Sequence, residues 1–274
     1  CTKPAASCAR AAAGTTSTAT STPTDHAPML DILHRDEAIV VIDKPPGLLV
    51  HRTVLDRHET QFAVQLLRDQ IGQPVFPAHR LDRGTSGVLV FALDRDMARF
   101  LSTAFAEGHV GKRYLAVVRG WPAEQGSIDY PLSRQPDEAE WIDPRATLTP
   151  QPALTHWRRL ATAELPLPND RYPATRIALL ELRPETGRRH QIRRHLKHIA
   201  HPIIGDATHG KGAINRAFAA YTGCNRLLLH CAALELPLPD GRPLHLTAPP
   251  SGTLAALLAS LAWPDGSGSG AFPA

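Results

Sequence analysis

The chain has 274 residues, 43% of them hydrophobic, and carries 30 Lys and Arg against 26 Asp and Glu for a formal net charge of +4. That length can bury a substantial core in one large domain or two small ones, and the mildly basic balance is compatible with a polyanionic partner without demanding one. No run of 18 apolar residues occurs, so no membrane-spanning helix is expected; the four cysteines, Cys1, Cys8, Cys224 and Cys231, include no Cys-x-x-Cys pair, which argues against a zinc frame or disulfide scaffold and for a reduced, cytoplasmic setting.

Residues 1–26 are mostly Ala, Thr and Ser and cannot bury enough surface to offset the entropy of ordering, so a disordered tail is expected there. A basic transit peptide is the alternative, with Lys3 and Arg10 as its only charges. The texture changes at Met29, and one folded domain is expected over 27–263, with a flexible Gly/Ser tail over 264–274. Leu30, Ile32 and Leu33 precede a strand over Ala38–Asp43, which Lys44-Pro45-Pro46-Gly47 stops. Thr60 can cap a helix over Gln61–Ile71 whose Phe62, Leu66 and Leu67 share a face.

Phe76 and His79 then lead into the loop His79-Arg80-Leu81-Asp82-Arg83-Gly84-Thr85-Ser86-Gly87, followed by the buried strand Val88–Leu93. The loop sets Asp82 between Arg80 and Arg83, with glycines that permit a sharp turn. An aspartate at the mouth of a strand is a candidate nucleophile or base, although most such residues are solvated ion pairs or turn formers.

Asp94 can cap a helix whose Met97, Phe100, Leu101, Ala104 and Phe105 form one apolar stripe until Gly108 ends it. Lys112–Gly120 alternates as a strand with a basic entrance, Lys112-Arg113, before Tyr114. Leu132–Pro152 carries four prolines among acids and arginines and reads as a surface insertion able to contact RNA. A strand pair follows over Ala153–Glu164 and Thr175–Arg183, joined by a proline-rich turn.

Thr186 can cap a helix running toward Pro202, with Ile192, Leu196 and Ile199 on one flank and Arg189, Arg193, Arg194, Lys197 and His198 on the other. Charges of nearly one sign repel each other unless an anion is near, so this flank is expected to bind a polyanion. The surrounding arginines also argue against a metal site among the histidines of positions 190–209. Thr253 can cap a last helix carrying Leu254, Leu257, Leu258 and Leu261.

Four motifs in order resemble the RluA-type pseudouridine synthases: Asp43-Lys44-Pro45-Pro46-Gly47-Leu48, with Asp43 where Asn is usual; His79-Arg80-Leu81-Asp82 with Thr85-Ser86-Gly87; Lys112-Arg113-Tyr114; and Thr186-Gly187-Arg188-Arg189-His190-Gln191-Ile192-Arg193. The segments His201-Pro202-Ile203-Ile204-Gly205-Asp206 and Leu229-His230-Cys231-Ala232 also match and are read as mainly structural. The resemblance implies an α+β fold: a single catalytic domain with a large mixed, mostly antiparallel sheet crossed by an RNA-binding cleft. An additional small RNA-binding domain before Met29 is not expected.

The activity implied is isomerisation of uridine to pseudouridine in structured RNA, without metal or cofactor and with the target base flipped out of its stack. By the same resemblance Asp82 is catalytic, Tyr114 stacks on the base, Arg193 pairs with Asp82, and Arg80 fills the vacated place in the RNA. Arg80, Arg83, Lys112, Arg113, Arg188, Arg189, Arg194 and Lys197 are the expected RNA contacts.

Val50-His51-Arg52, Gln70-Ile71-Gly72-Gln73, Val118-Arg119-Gly120-Trp121 and Ile128-Asp129-Tyr130-Pro131-Leu132 together resemble the branch acting on transfer RNA at uridine-65, with ribosomal RNA the nearest alternative. A monomer with no protein partner is expected. A serine hydrolase built on Gly84-Thr85-Ser86-Gly87 lacks the Gly-x-Ser-x-Gly spacing, and a non-catalytic RNA-binding module leaves Asp82 without a purpose.

Overall fold

A computed structural model describes residues 29–52, 59–135, 149–169, 172–261 and 263. The expected tails, and residues 136–148 of the expected insertion, lie outside the described residues. The first half of the chain forms β1 (Asp31–Arg35), β2 (Ile39–Lys44), α1 (Ala63–Ile71), β3 (Phe76–Pro77), β4 (Ser86–Ala92), α2 (Arg95–Ala106), β5 (Gly111–Arg119), β6 (Gln125–Asp129) and β7 (Leu132–Ser133). The second half forms β8 (Pro150–Gln151), β9 (Leu154–Leu165), β10 (Thr175–Pro184), α3 (Gln191–His198), α4 (Gly212–Thr222), β11 (Leu229–Pro237), β12 (Pro243–Thr247) and α5 (Gly252–Ser260).

Ten strands make one sheet in the order β1-β2-β4-β11-β5-β10-β9-β6, with β3 on β4 and β12 on β11, while β7 and β8 pair separately at the two ends of the insertion. Within the large sheet β4 and β11 are parallel and the other neighbours antiparallel, which is the mixed, mostly antiparallel sheet of the α+β expectation.

The sheet carries two apolar cores. One gathers β5, β9 and β10 with α3, α4 and α5; the other gathers β2 and β4 with α1 and α2. Tyr114 packs against both. β4 and β11 are joined by a parallel pairing only two residue pairs long, His230 with Ser86 and Cys231 with Gly87, while Cys231, Leu234 and Leu236 of β11 pack into the second core. Gly87 has φ +107, and a Cβ there would fall on the Cys231 carbonyl oxygen. Gly87→Ala is therefore expected to cost on the order of 2–4 kcal/mol, read as a lower urea midpoint, because backbone and not a flexible side chain would have to move.

Asp94 caps α2 as expected, its carboxylate accepting from the Asp96 and Met97 N–H groups at 2.8 Å. Three other helix starts differ. α1 begins after Phe62, which is held extended by a bridge to Leu49, so Thr60 is not its cap. α5 begins at Gly252 after Ser251, so Thr253 lies inside the helix.

α3 begins at Gln191, not after Thr186; the Thr186 hydroxyl instead donates to Gln191 Oε1 at 2.7 Å and accepts from the Leu154 N–H at 3.2 Å. Nor does the basic flank of α3 all face outward. Arg193 is buried and so is His195, whereas Lys197 and His198 are exposed.

Candidate active site

The loop between β3 and β4 brings Asp82 to the seam of the sheet. Leu81 is buried beside it and the Thr85 N–H closes a turn on the Asp82 carbonyl at 3.0 Å, so the carboxylate is held from both sides while its side chain stays 26% exposed. His79 braces the loop from below. Its Nε2 accepts from the Val90 N–H at 3.2 Å and its ring stacks on Phe105, and burial drives its pKa down to about 3, so it is neutral.

A second brace comes from Lys44. Its side chain is fully buried, and Nζ donates to the carbonyls of Pro45, Leu48 and Arg83 at 2.9, 2.8 and 3.2 Å, tying the Pro45–Leu48 turn to the Asp82 loop. Burial pushes its pKa down to about 7. The sequence motif containing Lys44 was visible, but this latching role was not among the expected site features.

Arg193 NH1 donates to Asp82 Oδ2 at 2.9 Å. The other edge of the guanidinium grips Asp206, with Nε to Oδ2 at 2.7 Å and NH2 to Oδ1 at 2.9 Å, and Asp206 Oδ1 also accepts from the Thr208 and His209 N–H groups at 2.9 Å. Burial works against the charged form of Asp206, yet the Arg193 and backbone donors outweigh it and hold its pKa below the usual value. Likewise burial opposes the Arg193 cation, and Asp206 and Asp82 together raise its pKa above the ordinary one. The outcome is a chain of charges, Asp82–Arg193–Asp206, in which Asp82 and Arg193 reach the cavities and Asp206 lies behind them, 0% exposed at its side chain.

The helix that carries Arg193 is nailed down at its start. Gln191 Nε2 donates to the Leu154 carbonyl and to the Thr155 hydroxyl, both at 3.0 Å; that hydroxyl donates to His195 Nδ1 at 3.0 Å, and His195 Nε2 donates to the Tyr130 carbonyl at 3.0 Å. His190, just before the helix, has φ +54, a conformation rare for a side chain larger than glycine. That turn sets its Nε2 3.8 Å from Asp82 Oδ1. Burial, against the pull of Asp82, lowers the His190 pKa and favours the neutral ring.

Two cavities meet at Asp82. The larger, about 700 Å³, is lined by Arg80, Arg83, Arg189, Arg193 and Arg226; the smaller, about 120 Å³, by Lys112, Tyr114, Arg188, Ile192 and Leu229. Burial beside the Cys231 thiol pushes the Tyr114 hydroxyl well above its ordinary pKa, so the ring presents a neutral face. Arg226 is steadied by donating NH2 to Ser86 Oγ at 2.6 Å; Ser86 in turn donates to His230 Nδ1 at 2.8 Å, and His230 Nε2 donates to the Ala248 carbonyl at 2.7 Å.

Of the residues singled out in the sequence, the structure thus gathers Arg80, Asp82, Arg83, Lys112, Tyr114, Arg188, Arg189 and Arg193 around one cleft. Arg83 there also pairs with Glu59 at 2.5 Å. Three stand elsewhere. Arg113 lies on the opposite sheet face, 3.9 Å from Glu181; Arg194 donates to the Ser133 carbonyl at 3.0 Å; Lys197 is exposed on the outer side of α3 and lines neither cavity.

Asp206, Lys44 and Arg226 were missed as site residues. For Asp206 the signal was there: a carboxylate directly after Pro202-Ile203-Ile204-Gly205 is buried with its neighbours and so requires a cation.

A sequence profile of RNA pseudouridylate synthases matches residues 38–198. The tRNA pseudouridine synthase C of Salmonella typhi is 48% identical over 236 residues, covering 86% of this chain and 91% of that protein; the one from Yersinia pestis is 50% identical over 221 residues, covering 80% and 86%. Among solved structures, human RNA Pseudouridylate Synthase Domain Containing 1 superposes with a TM-score of 0.64 at 26% identity, covering 85% of this chain and 87% of that one. The motifs, the mixed sheet and these matches agree, and the chain belongs to the RluA-type RNA pseudouridylate synthase family.

Proposed function

We propose that this protein isomerises one uridine of transfer RNA, uridine-65, to pseudouridine, with Asp82 as the nucleophile. The observation that carries the reading is the Asp82–Arg193–Asp206 chain: a carboxylate with one side open to a cationic cleft and the other fixed at 2.9 Å by a guanidinium that a buried carboxylate immobilises in turn. The transfer RNA substrate rests on relatives that carry that substrate in their names, at 48% and 50% identity.

The reaction breaks the bond between uracil nitrogen 1 and the ribose, turns the base, and joins carbon 5 to the same sugar carbon; the carbon 5 proton is lost and a nitrogen regains one, so nothing is oxidised. Asp82 attacks the anomeric carbon or the base, removal of the 2′ proton being the alternative to attack; in each case the carboxylate must be aimed, which is the work of Arg193. Tyr114 offers its ring to the extruded base, and Arg80 at the cleft mouth occupies the place it vacates by stacking and edge hydrogen bonds. Arg83, Lys112, Arg188 and Arg189 meet the phosphates around it.

Two buried free thiols, Cys224 and Cys231, suit a reducing cytoplasm, and the chain acts as a monomer in this reading. Incubating the purified protein with transfer RNA and ribosomal RNA transcripts and mapping pseudouridine at each position tests the proposal. One new pseudouridine at position 65 of transfer RNA is expected; product confined to ribosomal RNA would transfer the assignment to that substrate.

A further inference from the structure

The sheet turns a second set of charges away from the cleft. Alternation along β5 sends Lys112 and Tyr114 to the site face and Arg113 to the other, where the register sets it near Glu181 and Arg183 of β10 and Arg158 of β9. Glu181 is 4% exposed, and its carboxylate meets Arg183 NH2 at 3.0 Å, Arg158 NH2 at 3.5 Å and Arg113 NH1 at 3.9 Å. Three guanidiniums thus converge on one buried carboxylate.

They line a groove of about 760 Å³ to which Lys112 and Glu235 also belong, so four full cations face two carboxylates, with His245 3.7 Å from Glu235. The surplus is positive and accessible: the Arg158 and Arg183 side chains are 55% and 66% exposed.

The groove is also continuous with the cleft. A depression of about 580 Å³ shares Lys112 and Arg183 with the groove, and shares Lys112, Thr186, Gly187 and Arg188 with the cavity at Tyr114 and Asp82. Its acids are Glu107 and Glu185, and Lys112 is turned to the Glu185 carbonyl at 3.2 Å.

We propose that this groove is a phosphate track, which takes the stretch of RNA leaving the cleft around the end of β5 and β10 and on to the far face of the sheet. Resting on the RNA-substrate reading above, it assigns Arg113, Arg158 and Arg183 to the sugar–phosphate backbone, with Glu181 fixing how the guanidinium forks are presented. Three guanidiniums share one buried carboxylate, so a net positive charge remains that repels itself unless a further anion binds, and planar forks match phosphate oxygens.

The test is a salt titration of binding to an unmodified transfer RNA transcript, comparing wild type with Arg158→Gln/Arg183→Gln and Arg158→Lys/Arg183→Lys. The Gln pair is expected to flatten the slope of log affinity against log salt by about 1.4 to 1.8, for two lost phosphate contacts, and to weaken binding roughly tenfold, while the Lys pair keeps the wild-type slope. An unchanged slope in the Gln pair, or an equal loss in the Lys pair, overturns the track.

Because the readout is binding, it separates from the substrate reading. A wild type that modifies transfer RNA alongside a Gln pair of unchanged slope removes the track alone; a wild type that forms no pseudouridine but shows the slope difference removes the assigned activity and keeps the track.

Discussion

Asp82→Asn is expected to cut pseudouridine formation by at least about three orders of magnitude while RNA binding stays within about a factor of two. The amide is nearly the same size and still accepts from Arg193 NH1, so the loop keeps its shape and only the negative charge is lost. Removing a negative charge from a cleft lined by Arg80, Arg83, Arg189 and Arg226 also removes a repulsion against phosphate, so affinity should hold or rise. The melting temperature should change little, because Arg193 retains both bonds to Asp206. Single-turnover product formation and filter binding on one preparation decide the matter; turnover near the wild-type rate would remove Asp82 from the chemistry.

The second large effect belongs to the pair behind Asp82. Arg193→Ala leaves Asp206 as a buried carboxylate with only backbone donors, a change that costs about 3–5 kcal/mol when one partner of a buried pair is removed. Arg193→Lys keeps the charge but cannot bridge two carboxylates with one planar fork, so it should lose more in turnover than in stability.

Asp206 lines neither cavity and bonds Arg193, so Asp206→Asn should lower kcat with little change in KM, whereas a defect in general folding would move both. It also has a pH signature. The folded pKa of Asp206 lies below 3.8, so between that pKa and 3.8 the unfolded chain binds more protons and stability rises with pH. The contribution is complete above about pH 5 and is lost as pH falls through the folded value; Asp206→Asn should therefore flatten the acid limb of a stability–pH curve and leave the neutral region parallel to wild type.

How much of this was readable beforehand depended on whether local pattern or distant packing decided each residue. β4, β5, β9, β10 and α2 follow from unbroken apolar runs, alternation and a carboxylate cap, all of them local. The starts of α1 and α3 do not. Phe62 is held extended by Leu49, and the Thr186 hydroxyl is engaged by the Leu154 N–H, both contacts made by segments distant in sequence.

The same division runs through the site. Asp82, Tyr114 and Arg193 stood in motifs, but grouping Arg193 with an exposed basic flank overlooked that it lies about 60° from Leu196 on the helix and is drawn inward by two carboxylates. Arg113 was legible in principle, since period-two alternation forbids it from sharing a face with both Lys112 and Tyr114. Lys44 could not be seen as a latch, because its three carbonyl partners become neighbours only after the loops close.

The two-residue junction of β4 with β11 has a mechanical meaning. Asp82 hangs from the β4 side of that junction and Arg193 from α3 on the β11 side, so their contact spans it beside the Ser86–His230 and Arg226–Ser86 hydrogen bonds. Alignment of the two sides and aim of the carboxylate are then coupled, so a lesion that shifts one against the other by an ångström should lower turnover by more than it lowers stability.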